Sequence, residues 1–138
     1  MSSGQSSEKV RLAAIQMTSV ADVAANLQQA RQGLEEAARQ GAVMAVLPEN
    51  FAFMAADESA RVALAEADGA GPIQDFLARA ARECGLWIVG GTIPLQSEEH
   101  GRPFAACCVW NDKGERAGRY DKIHMFDVDL ANGESYRE

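Results

Sequence analysis

The stretch Ala42-Val43-Met44-Ala45-Val46-Leu47-Pro48-Glu49-Asn50 decides how the rest of this chain is read. Its six opening apolar residues are short for a helix and fit a strand covered on both faces, as in a parallel sheet. Pro48 then stops the strand, because it has no N–H to give to a ladder. Glu49 therefore falls at the carboxyl end of the strand, the edge where open α/β sheets gather ligands and catalytic groups. Position alone leaves two readings of Glu49 open, a working carboxylate or an ordinary solvated loop acid.

Upstream, Val10 to Met17 (VRLAAIQM) reads as another strand. Asp22 or Asn26 can cap the helix that follows, in which Leu27, Ala30, Leu34, Ala37 and Ala38 recur at helical spacing. Gly41 stands where a left-handed helix end is wanted. Downstream, a short helical piece is expected at Ser59 to Glu66, ending before Asp68-Gly69. Pro72 suits a first helical turn, Ile73, Phe76, Leu77, Ala80 and Cys84 form one apolar stripe, and Gly85 ends that helix. Leu86 to Ile93 (LWIVGGTI) reads as a third strand, and the polar loop SEEHGR follows at 97–102. A strand from Phe104 to Trp110 then turns at Asp112-Lys113-Gly114 into Glu115 to Tyr120. Asp121 to Glu138 shows no clear period.

The order is β-α-β-α-β followed by a hairpin, which predicts an α/β fold with a parallel sheet and right-handed crossovers. Two successive crossovers in one direction place both main helices on the same face. The strands nonetheless read as apolar on both sides, so the other face needs a cover from a second copy or from further polypeptide.

Composition narrows the function classes. The 138 residues fit one domain. Apolar residues make up 47%, and 25 residues are Ala, which favours close helix packing. Thirteen basic against twenty acidic residues give a net charge of −7, so an acidic surface argues against nucleic acid as a partner. No apolar run approaches the ~18 residues of a membrane span. The opening MSSGQSSEKV lacks the apolar stretch of a signal peptide; residues 1–9 are expected to form a disordered polar terminus, and the protein to be cytoplasmic. Cys84, Cys107 and Cys108 are odd in number, and neighbours in a strand point to opposite faces, so three buried thiols are expected rather than a bridge.

A second candidate group is Lys122, in the segment Tyr120-Asp121-Lys122-Ile123-His124-Met125-Phe126-Asp127 just after the last strand. On position alone it is equally an exposed lysine, and His124 a loop-packing histidine. Glu49, His124, Asp127 and Asp129 can be imagined around a metal, but their spacing matches no ligand template and no metal is expected. GxGxxG and GxxxxGK[ST] are both absent, and no cofactor is expected.

Four segments together resemble the nitrilase (carbon–nitrogen hydrolase) superfamily: AAIQMTS at 13–19, LPENF at 47–51, ARECGLWIVGG at 81–91 with Ala80 before it, and YDKIHMFDVD at 120–129. The resemblance runs from Val10 onward and is specific, because a Pro-Glu strand end and a YxKxHxFD segment occur in the right order. The style of the ARECGLW segment is most similar to the branch holding deaminated glutathione amidase and omega-amidase. The resemblance implies an α-β-β-α sandwich, of which residues 10–138 would be the N-terminal part and the C-terminal part would be absent. It also implies hydrolysis of a small amide to a carboxylate and ammonia by a Glu-Lys-Cys set, without metal or cofactor, in subunits that pair. By motif, Glu49 matches the general base and Lys122 the residue that steadies the oxyanion. Glu138, in Arg137-Glu138 sixteen residues beyond Lys122, matches a second, supporting Glu. The family's nucleophilic Cys stands in a Cys-Tyr-Asp-like turn after a later strand, and none of the three cysteines here has that context. The chain alone is therefore expected to be inactive. The alternative is a non-catalytic α/β binding or assembly module that keeps the scaffold.

Overall fold

The protein is described by a computed structural model that covers residues 8–137; the expected disorder of the N-terminus falls almost wholly outside the described residues. Eight strands and three helices follow in order: β1 Leu12–Ala14, α1 Val23–Arg39, β2 Met44–Val46, α2 Glu58–Ala63, α3 Pro72–Cys84, β3 Trp87–Val89, β4 Ile93–Leu95, β5 Phe104–Trp110, β6 Arg116–Asp121, β7 Asp127–Asp129 and β8 Ser135–Arg137.

The expected α/β architecture is present. β1, β2 and β3 run parallel, in register Leu12–Met44–Trp87 and Ala14–Val46–Val89. β5 lies antiparallel to β3 and β4, which share one of its edges, and β6 pairs along the other. The helix limits follow from the chemistry of their ends. Asp22, not Asn26, caps α1 by accepting from the Ala25 N–H at 3.1 Å. Pro72 opens α3, and Gly85 closes it in the left-handed conformation at φ 63°.

α1 and α3 pack on each other over one face of the sheet. Ala30, Leu34, Ala37, Leu77, Ala80 and Ala81 meet Ala45, Ile88, Ala106, Cys108 and Trp110 in a core rich in small side chains. The alanines let the helices approach the sheet closely. The opposite face is different: Leu12 is 65% exposed, Val46 41%, Trp87 39% and Tyr120 59%, so large apolar side chains of four strands meet water there. An apolar patch of this kind marks an interaction surface.

Two expectations are corrected. The run 86–93 is not one strand but two, because the chain turns at Gly90-Gly91, where Gly91 has φ 59°. The apolar composition continues straight through the break and conceals it. The segment after Asp121, read without period, contains the β7–β8 hairpin, closed by the Leu130 N–H to Glu134 carbonyl bond at 2.8 Å. Its Asn132-Gly133 dipeptide is a hairpin signal that could have found it.

Candidate active site

Glu49 is carried by the turn that leaves β2. Leu47 N–H still bonds the Val89 carbonyl at 2.9 Å, so the strand pairing runs to the residue before Pro48. Beyond it the chain turns sharply: Asn50 has φ 53°, the one positive φ outside glycine among the described residues. Phe51 and Ala52 then plunge into the core, at 0% and 1% exposure, and anchor the far side of the turn.

Three groups hold this turn. The Asn50 N–H donates to the Thr92 hydroxyl oxygen at 2.9 Å. The Ser19 hydroxyl donates to the Phe51 carbonyl at 2.8 Å. Asn26, buried at 1% exposure, donates its amide N–H groups to the carbonyls of Val20 at 2.7 Å and Ala52 at 2.9 Å and accepts from the Val20 N–H at 2.9 Å. A buried amide used on every side ties the loop after β1 to the loop after β2. Sequence reading missed this role of Asn26, because a helix-start Asn looks like a cap, and it missed Thr92, which lay inside a supposed strand.

Lys122 arrives from the other end of the sheet. Its N–H bonds the Ala105 carbonyl at 3.0 Å, which extends the β5–β6 ladder past Asp121. Its Nζ donates to Glu49 Oε1 at 2.9 Å across 73 residues of sequence. The structure therefore brings together the two groups singled out at the sequence level. The Glu49 side chain is 54% exposed and that of Lys122 25%. An open ion pair of this kind adds little to stability, about 0–1 kcal/mol, so folding alone gives scant reason for it. Lys122, but not Glu49, also lines a cleft of about 690 Å³ together with Gln96, Arg102, Phe104 and Met125.

The remaining candidates fall elsewhere. Glu138 lies outside the described residues. Cys84 ends α3, and so sits at the amino-terminal edge of β3, the sheet edge opposite Glu49. Cys107 stands on β5 across from Tyr120, and Cys108 faces the helix side of the core. Burial pushes all three thiols up from their ordinary value. For Cys107 burial is the whole cause, with no cation acting to favour the thiolate. The metal cluster imagined from Glu49, His124, Asp127 and Asp129 does not assemble: among the described residues no three His, Cys, Asp or Glu side chains converge on one point. Asp129 instead accepts from the Ser135 hydroxyl at 2.6 Å within the hairpin. No helix among the described residues is long and apolar enough to cross a membrane.

The family pattern described as carbon-nitrogen hydrolase matches residues 11–138, and the chain belongs to that family. Deaminated glutathione amidase of Synechocystis sp. is 35% identical over 127 residues, which are 91% of this chain and 46% of the relative. The human deaminated glutathione amidase is 34% identical over 131 residues, covering 93% of this chain and 40% of the relative. Among solved structures, the Caenorhabditis elegans NitFhit protein superposes with a TM-score of 0.78 at 23% identity, over 92% of this chain and 31% of that one. Saccharomyces cerevisiae Nit3, a member of the nitrilase superfamily, gives 0.74 at 21% identity, over 91% and 53%. These structural likenesses establish the nitrilase-type fold. The chain spans less than half the length of the curated relatives it matches.

Proposed function

We propose that this chain supplies the general base and the oxyanion-stabilising cation of an amidase that converts a small amide to a carboxylate and ammonia. The 2.9 Å contact between Lys122 Nζ and Glu49 Oε1 carries the reading. An amide carbon is a poor electrophile, so the reaction calls for a thiolate made by an adjacent base. Glu49 takes the thiol proton, the sulfur adds to the amide carbon, and the Lys122 ammonium stabilises the negative charge that collects on the carbonyl oxygen. Glu49 then passes the proton to the departing ammonia. It next activates the water that releases the acid from the thioester, with Glu138 as the supporting carboxylate.

The nucleophile is the missing part. None of Cys84, Cys107 and Cys108 fits the role, so we assign it to polypeptide beyond this chain that covers the exposed sheet face as the second sheet of an α-β-β-α sandwich. The half-exposed Glu49 supports this assignment, because an ion pair open to water is a weak catalytic device until a second body excludes solvent. On its own the chain is inactive; the complete protein is a cytoplasmic oligomer.

The test is the intact mass of the natural gene product, followed by an assay for ammonia release from small amides. A mass well above 14.8 kDa, a Cys-bearing continuation and iodoacetamide-sensitive release support the reading. A mass of 14.8 kDa favours the non-catalytic binding module. Iodoacetamide-sensitive release by the 138-residue chain alone overturns the assignment of the nucleophile to further polypeptide.

A further inference from the structure

Glu49 stands on a sharp turn of the backbone. The residue after it, Asn50, sits at φ 53°, a left-handed conformation that Asn tolerates better than other non-glycine residues and that local hydrogen bonds select. The Asn50 N–H donates to the Thr92 hydroxyl oxygen at 2.9 Å, and the Thr92 hydroxyl in turn lies 3.4 Å from Asn50 Oδ1. Thr92 is itself fixed, since it lies between Gly91, whose Cα backs directly onto the Pro48 carbonyl, and Ile93, buried at 1% exposure in β4. The far side of the turn is separately clipped by Asn26 to Ala52. At Asn50 itself, directly adjoining Glu49, the Phe53 N–H donates to the carbonyl at 3.2 Å, and the Thr92 hydroxyl is the side-chain group that takes its N–H.

We infer that Thr92 is a positioning residue for Glu49: its hydroxyl holds Asn50 left-handed, and this conformation turns the Glu49 carboxylate onto Lys122. The inference rests on the reading of Glu49 and Lys122 as the working pair. If the acceptor is lost, Asn50 relaxes to an ordinary negative φ, a rotation of about 100° or more that swings the preceding carboxylate away from the ammonium.

The test reads the pair directly. The chain holds three lysines, Lys9, Lys113 and Lys122, so the side-chain ¹⁵Nζ ammonium signals are few enough to assign, with Lys9 and Lys113 as internal controls. Glu49→Gln is the reference for a broken pair. The expected result is that Glu49→Gln moves the Lys122 signal alone. Thr92→Val and Thr92→Ala move it most of the way in the same direction, and Thr92→Ser, which keeps the hydroxyl, leaves it near wild type. If Glu49→Gln moves the signal and neither Thr92→Val nor Thr92→Ala does, the positioning role is overturned while the pair stands. If Glu49→Gln leaves the signal in place, the pair itself is refuted and the role of Thr92 falls with it. Thr92→Ala guards against overpacking by the valine. Loss of the folded amide spectrum in both variants makes Thr92 a folding determinant and equally overturns the positioning role.

Discussion

Gly91→Ala probes the close approach that seats Glu49. A Cβ at Gly91 falls 2.9 Å from the Pro48 carbonyl carbon and 3.1 Å from the Leu47 carbonyl oxygen, and nearer still to the Pro48 oxygen. These neighbours are backbone, so relief requires β4 or the Pro48 turn to move. Gly85 provides an internal control. It has nearly the same φ, 63° against 59°, but nothing lies within 4 Å of a Cβ there. Gly85→Ala therefore carries only the left-handed backbone cost, about 1–2 kcal/mol. Gly91→Ala adds overpacking of about 1–3 kcal/mol and the Asn50–Thr92 hydrogen bond, worth about 1 kcal/mol. The difference between the variants comes to about 3 kcal/mol. With an unfolding entropy of about 0.3 kcal/mol/K for a chain of this size, that corresponds to about 10 °C in Tm. Thermal melts followed by circular dichroism at one pH measure it. Melting points for the two variants within about 1–2 °C of each other refute the claim that Gly91 is required by contact with the Glu49 turn.

The other expectations concern parts of the fold that support the site. Glu66, buried at 7% exposure, accepts from the Ile73 N–H at 2.7 Å and the Gln74 N–H at 3.0 Å, and so seats a carboxylate on the first turn of α3. Glu66→Ala leaves those donors buried without partners and is expected to cost about 3–4 kcal/mol in urea unfolding; a loss under about 1 kcal/mol contradicts this. Arg116 beside Asp68 holds that carboxyl below the usual carboxylate range. A folded-state value depressed below the unfolded one stabilises the protein above the unfolded value, about 3.9, and this contribution disappears as pH falls through the folded one. The stability gap between wild type and Asp68→Asn is therefore open at neutral pH and closes in acid; a gap that is constant or widens in acid refutes the pairing. All three thiols are raised by burial, so thiol reagents react slowly with the native chain, and Cys108, 1% exposed, reacts only as fast as the fold opens. One thiol reacting faster than free cysteine at neutral pH contradicts that account.

The sequence reveals the parts of this fold in which local chemistry and global structure agree. Pro72 and Gly85 mark the ends of α3, and the run ending at Pro48 marks β2, because each uses a residue type that serves few other purposes. The candidate pair was readable for a different reason. Glu49 and Lys122 each follow directly on a strand, and β6 runs in the same direction as β2 with β3 and β5 between them, so strand direction puts both at one edge of the sheet. What holds them there was not readable. Asn26 and Thr92 act through hydrogen bonds to residues 26 and 42 positions away, and nothing in their immediate neighbours announces such partners. The break at Gly90-Gly91 was hidden because residues on both sides remain apolar. The reason for the glycine lies in the Pro48 carbonyl, a contact between separate strand ends. The burial of Glu66 was equally silent: its carboxylate is satisfied by a helix end that begins several residues later.

Ammonia release from a small amide by the natural gene product, wild type against Glu49→Gln and Lys122→Met, tests the central claim most directly. The account predicts release by the wild-type protein, and its loss by about two or more orders of magnitude in each folded variant, as expected when a general base or an oxyanion-stabilising group is removed. Wild-type rates in either variant contradict it.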